Sequence, residues 1–108
     1  GGLIVYHSMG SVISAHSIGS NVSISQGVTI GNGGARRELR EGERNKPIIE
    51  DNVNITTNAI VIGPITIGQG AVIGAGSVIT RDVPPGAIVV GNPQKIIAFD
   101  EKYRKRDG

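Results

Sequence analysis

Ten aliphatic residues recur at intervals of six along this chain. Val12, Ile18, Ile24 and Ile30 form a first run, and Ile49, Ile55, Val61, Ile67, Ile73 and Ile79 form a second. Only the stretch between Ile30 and Ile49 breaks the beat. An amphipathic helix spaces its apolar stripe by three and four, and a half-buried strand alternates by two over a short run. A sustained period of six matches neither. It is the hexad repeat of a parallel β-helix, in which short strands coil around a narrow aliphatic core. The expected fold class is therefore all-β.

Written in hexads, the first position is always Ile or Val, β-branched and suited to an inward-packing strand. The second is often glycine (Gly19, Gly31, Gly68, Gly74), read as a tight corner with unusual φ. The fifth is mostly small or aliphatic: Val22, Val28, Val53, Ala59, Ala71 and Ser77. Three hexads give a triangular coil of about 18 residues, and coils stack at ~4.8 Å. Asn32–Pro47 is Gly-rich and then charged, so it is expected to leave the prism at a corner as a loop excursion over 32–47. Val83-Pro84-Pro85-Gly86 is expected to end the ladder, because proline cannot donate to it. The repeat domain is assigned to residues 1–97. A short basic tail follows over 98–108, weakly helical across Asp100–Arg106. Burial of the first-position side chains does not by itself offset the ordering of so many residues. A second buried surface is expected from oligomerisation, as a homotrimer.

Composition narrows the function classes. Three aromatic side chains (Tyr6, Phe99, Tyr103) and no Trp are too few for a core built on large rings, whereas 17 Gly suit a thin stacked core. The lack of Cys excludes disulfides, thiolate metal sites and a cysteine nucleophile, and it suits a reducing compartment. No run of about 18 apolar residues argues for a membrane span, and no basic segment precedes an apolar stretch at the start. The expected location is cytoplasmic. A Gly1-Gly2 start without Met points to a fragment or a trimmed chain. The net charge of +2 hides a segregation, with the excursion and the tail basic and the repeats slightly acidic. Loop and tail are expected to meet a small polyanion such as a nucleotide phosphate. Nucleic acid is not an expected partner, since the basic residues are not interleaved with aromatics.

The hexads, followed by VPPGAIVVGNPQKI (Val83–Ile96), resemble the left-handed β-helix acyltransferases. Within these the chain is similar to serine O-acetyltransferases and to related sugar or polysaccharide O-acetyltransferases. GLIVYHSMGSVI (Gly2–Ile13) and VSISQGVTIGNGG (Val22–Gly34) resemble the serine acetyltransferase active-site region. IGAGSVI (Ile73–Ile79) and GNPQKI (Gly91–Ile96) resemble the family's acetyl-CoA end. The resemblance covers about residues 2–97. It implies a left-handed coil, acetyl-CoA as co-substrate, no metal, and a trimer with sites between subunits. Three departures bear on the acceptor. Tyr6 stands where that family has Asp before the catalytic His. Asn45 and Lys46 precede Pro47, in a loop without His. The spacing from His7 to the first clear hexad is one residue shorter. These favour a hydroxyl on a sugar or other small molecule over serine, or a degenerate copy.

Acetyl transfer to an alcohol needs a base near neutral pKa, a held thioester, and donors for a tetrahedral oxyanion. The chain has two histidines. His7 matches the family's catalytic position and is the expected general base. His16, fifth in VISAHS, is read as a half-buried residue more readily than as a second acid or base. Tyr6, His16 and Asn32 are the candidates to contact the acceptor or orient the base. Backbone N–H groups of Gly31 and Gly33 are candidates for the oxyanion. By resemblance, Ala59, Gly74, Ala75 and Ser77 would line the pantetheine groove, with Lys95 and Arg81 at a phosphate. Without Cys or a serine-nucleophile motif, direct attack in a ternary complex is the simplest mechanism. The alternatives are a structural β-helix module without catalysis and a carbonic-anhydrase-like metal enzyme. Two histidines nine apart argue weakly for the latter.

Overall fold

A computed structural model describes residues 3–5, 12–32 and 45–103. Its short parallel strands wrap a three-sided prism. Face one carries β1 (Leu3–Val5), β4 (Val22–Ile24), β7 (Asn54–Ile55), β10 (Val72–Ile73) and β12 (Ala87–Val90). Face two carries β2 (Val12–Ile13), β5 (Thr29–Gly31), β8 (Ile60–Ile62) and β11 (Val78–Ile79). Face three carries β3 (Ser17–Ile18), β6 (Ile48–Ile49) and β9 (Thr66–Ile67), and is extended by a parallel bridge from Ile67 to Val83.

The six-residue beat becomes vertical columns. Ile24, Ile55 and Ile73 stand in register on face one, Ile30, Val61 and Ile79 on face two, and Ile18, Ile49 and Ile67 on face three. Ile55 and Ile73 are 18 residues apart, whereas Ile24 and Ile55 are 31 apart. The excursion thus adds thirteen residues between Gly31 and Ile48 without shifting the inward column. First-position residues from Ile24 to Ile79 are buried, and so are the fifth-position residues Val22, Val28, Val53, Ala59, Ala71 and Ser77. Each fully buried Val or Ile contributes about 1.5–3 kcal/mol. No single side chain dominates this core, because it is a stack of near-equal layers.

Three expectations are corrected here. First, β2 places Ile13 opposite Ile30 and Val12 opposite Thr29, so Ile13 holds the inward column and the beat starts at Ile18. Ala15, not His16, packs partly buried against the core. Second, the unusual φ belongs to the fourth hexad position: Asn21, Gly27, Asn52, Asn58, Gly70 and Gly76 have φ between 58° and 73°. Of the second-position glycines, Gly19, Gly68 and Gly74 answer to crowding, whereas Gly31 does not. A Cβ on Gly68 would lie 2.5 Å from Pro85 N, and one on Gly19 would collide with Asp51. Third, the prolines do not end the ladder. Pro84 and Pro85 occupy a corner, and β12 pairs onward with β10 through Ile73 and Val89.

The tail also differs from its expected form. β13 (Lys95–Phe99) folds back antiparallel on β12, with an irregularity between Ile88 and Val89. A boundary at residue 97/98 would cut this strand. A 3-10 turn follows at Glu101–Tyr103 in place of the weak helix, whose remaining positions, 104–106, lie outside the described residues. No helix among the described residues is long and apolar enough to cross a membrane.

Candidate active site

Most of the described candidates fall on or beside the edges of the prism, and Lys95 stands apart in β13. The first edge, from face one to face two, is built by 25–28, 56–59 and 74–77. Tyr6, His7 and Gly33 lie outside the described residues. The second edge, from face two to face three, is built by 14–16, by 32 and 45–47, by 62–65 and by 80–82.

On the first edge, two candidates serve the core instead of a groove. Ala59 is fully buried at a fifth position, and its carbonyl accepts from Thr29 N at 3.0 Å. Ser77 is likewise fully buried, and its Oγ accepts from Gly91 N at 3.0 Å. The sequence reading placed both in the pantetheine groove because they are small, but small side chains here fill the narrow interior. Gly74 is half-buried, and a Cβ there would lie 2.7 Å from Val90 Cγ1. Ala75, at the apex of the turn, is exposed and available to a ligand.

The second edge gathers His16, Gly31, Asn32 and Arg81. His16 is exposed rather than half-buried, and its backbone N donates to Pro47 O at 2.7 Å. That bond ties the first coil to the residue at which the excursion rejoins the prism. Gly31 closes β5, and its carbonyl accepts from Gly63 N at 3.0 Å. A Cβ on Gly31 or on Gly63 would meet nothing within 4 Å, so ligand atoms can approach the backbone of both stacked corners. Asn32 is half-buried beside them. Arg81 is exposed at the last corner, roughly 14 Å from the His16 corner at ~4.8 Å per coil. Lys95 is exposed in β13. Because the candidates occupy both edges flanking face two, this face separates them within one chain.

Sequence reasoning missed Gln94. Its Oε1 accepts from Thr80 N at 2.8 Å and Arg81 N at 2.9 Å, while its Nε2 donates to Arg81 O at 3.1 Å. The one signal for it was its place in GNPQKI, read there for the neighbouring lysine. A groove of about 470 Å³ lies elsewhere, against face three and the third edge. Its walls include Ser17, Ile48, Glu50, Asp51 and Gln69, and it touches none of the candidates. The Asp51 carboxylate accepts from Ser20 N at 2.7 Å and the Glu50 carboxylate from Gln69 N at 3.1 Å. Both tie one coil to the next. Among the described residues, no three His, Asp or Glu side chains gather as metal ligands.

Known proteins share this architecture and much of the sequence. The family described as "Bacterial transferase hexapeptide (six repeats)" matches residues 46–81. A serine acetyltransferase of Bacillus licheniformis is 45% identical over 102 residues, which is 94% of this chain and 45% of that protein. The chain thus spans less than half the length of this relative. A soybean serine acetyltransferase complexed with serine superposes with a TM-score of 0.77 at 40% identity, over 87% of this chain and 37% of that one. A serine acetyltransferase in complex with CoA superposes at 0.73 with 35% identity, over 87% and 36%. Repeat, fold and relatives agree: the chain is a left-handed parallel β-helix of hexapeptide repeats, similar in sequence and architecture to serine acetyltransferases.

Proposed function

We propose that this chain is the β-helix portion of an acetyl-CoA-dependent O-acetyltransferase acting on the hydroxyl of serine. The observation that carries the reading is the 45% identity to a serine acetyltransferase across 94% of the chain. The serine and CoA complexes of its structural neighbours support both substrates. Assignment to the cytoplasm and to a homotrimer belongs to the same proposal. A trimer agrees with candidates split between two edges, since a neighbouring copy can bring the first edge of one prism to the second edge of another.

In the proposed reaction the imidazole of His7 takes the hydroxyl proton as the serine oxygen attacks the thioester carbonyl. The oxyanion of the tetrahedral intermediate receives backbone N–H donors from the open-sided Gly31 corner and from Gly33. Collapse breaks the C–S bond, and the imidazolium returns its proton to the departing thiolate. No covalent enzyme intermediate is required. Ala75 and Gly74 would face the pantetheine arm, and Arg81 and Lys95 a phosphate of the nucleotide end. Tyr6, His16 and Asn32 remain the residues assigned to the acceptor.

The test is release of CoA thiol from acetyl-CoA in the presence of serine, of free sugars, or of nucleotide-sugars. Serine-dependent release supports the proposal. Release only with a sugar would move the acceptor back to the alternative that Tyr6 and the His-free loop suggested.

A further inference from the structure

Arg81 is held by a single side chain. Gln94 Oε1 accepts from Arg81 N at 2.9 Å, and Gln94 Nε2 donates to Arg81 O at 3.1 Å, so one carboxamide engages both polar groups of the Arg81 backbone. The same Oε1 accepts from Thr80 N at 2.8 Å. The carboxamide thereby does what the peptide groups of a following coil would do on this edge. Among the described residues face two ends at β11, where Val78 N donates to Gly91 O at 3.0 Å, in the chain leading into β13. Among the described residues, Gln94 takes the place of a next layer at residues 80 and 81.

The corner so fixed carries a guanidinium. Arg81, Asp82, Gln94 and Ile96 line a hollow of about 280 Å³. One oxygen of Asp82 is already committed, accepting from Thr66 N at 2.9 Å. Lys95 follows Gln94 directly and is exposed. Gln94 thus joins the Arg81 corner to the strand that bears Lys95, the two cations assigned above to a phosphate. An arginine on a mobile corner loses conformational freedom when it binds an anion, whereas a fixed backbone has already met part of that cost.

We infer that Gln94 is a positioning residue for phosphate recognition, fixing the backbone of Arg81 so that its guanidinium meets a phosphate at the nucleotide end of CoA. This rests on the reading of the chain as an acetyl-CoA-dependent enzyme. Gln94 acts through Arg81 and need not touch the ligand. Gln94→Met keeps the length of the side chain and removes all three hydrogen bonds.

The experiment is calorimetric titration of the protein with CoA and, separately, with pantetheine, which lacks the phosphates. The proteins are the natural chain, Gln94→Met, Arg81→Met and the double variant. Gln94→Met is expected to raise the Kd for CoA about three- to tenfold, the scale of one or two net hydrogen bonds, and to leave that for pantetheine unchanged. The double variant should bind CoA no more weakly than Arg81→Met, because the two residues act in series. Equal weakening toward both ligands, or losses that multiply in the double variant, would overturn the inference. Should Gln94→Met fail to fold, Gln94→Glu keeps an acceptor for Thr80 N and Arg81 N and loses the donor. It must still weaken CoA selectively, or the inference falls. A natural chain that binds no CoA would instead overturn the reading of the enzyme itself. An unchanged Gln94→Met beside a binding natural chain would overturn only the role of Gln94.

Discussion

Gly68 and Pro85 approach so closely that a Cβ on residue 68 would lie 2.5 Å from the proline nitrogen and 2.8 Å from Pro84 C. Gly68 N also donates to Val83 O at 2.8 Å, which holds the two coils at this spacing. The obstructing atoms are backbone at a two-proline corner and cannot swing aside. Gly68→Ala is expected to destabilise the protein by about 1–3 kcal/mol in chemical unfolding. Gly31→Ala, with nothing within 4 Å of the added carbon, should change stability by less than about 0.5 kcal/mol. Equal effects at the two positions would show that crowding does not select these glycines.

Asn58 tests the fourth-position turns in a different way. Its φ of 62° lies in the left-handed region, which a β-carbon disfavours by about 1–2 kcal/mol and which glycine enters freely. Asn58→Ala should therefore lower stability on that scale, while Asn58→Gly stays near the natural chain. Thermal unfolding of the pair decides it: the melting temperatures should rank Gly above Ala.

Ser77 separates a structural serine from a ligand-binding one. Its buried Oγ is the acceptor for Gly91 N. Ser77→Ala should cost about 1 kcal/mol of stability, measured by denaturant titration. Its affinity for CoA should remain that of the natural chain. A selective loss of CoA binding at unchanged stability would return Ser77 to the groove.

The sequence displayed the prism because burial imposes its period: each inward Ile or Val must recur once per face, and Ile49 to Ile79 obey this without a break. Val12 obeyed the spacing by coincidence, since the turn between Ile13 and Ile18 is one residue shorter than a hexad. The role of Asn21, Asn52 and Asn58 went unread because asparagine in a polar turn carries no apolar beat, although its tolerance of positive φ gives the physical reason for its place. β13 escaped because Lys95–Phe99 alternates with no fixed period and stays exposed. The site was legible mainly through resemblance. Periodicity located the exposed corners, but smallness alone could not tell the exposed Ala75, third in its hexad, from the buried Ala59, fifth in its own.

Assembly is open to a direct check. With the candidates divided between two edges of one prism, an active site shared between copies requires association at working concentration. Sedimentation equilibrium should give about three times the 11.2 kDa of the chain. A monomer that still turned over acetyl-CoA would contradict a site shared between subunits.

The most direct measurement of the central claim follows the product itself. Mass spectrometry of a reaction containing acetyl-CoA and serine should show O-acetylserine accumulating with the natural chain. The rate should fall by about 10²–10⁴ with His7→Ala, the usual contribution of a general base, while CoA still binds. Formation of O-acetylserine at equal rates by both proteins would contradict the assignment of His7. Absence of the product from a natural chain that binds both substrates would contradict serine acetyl transfer altogether.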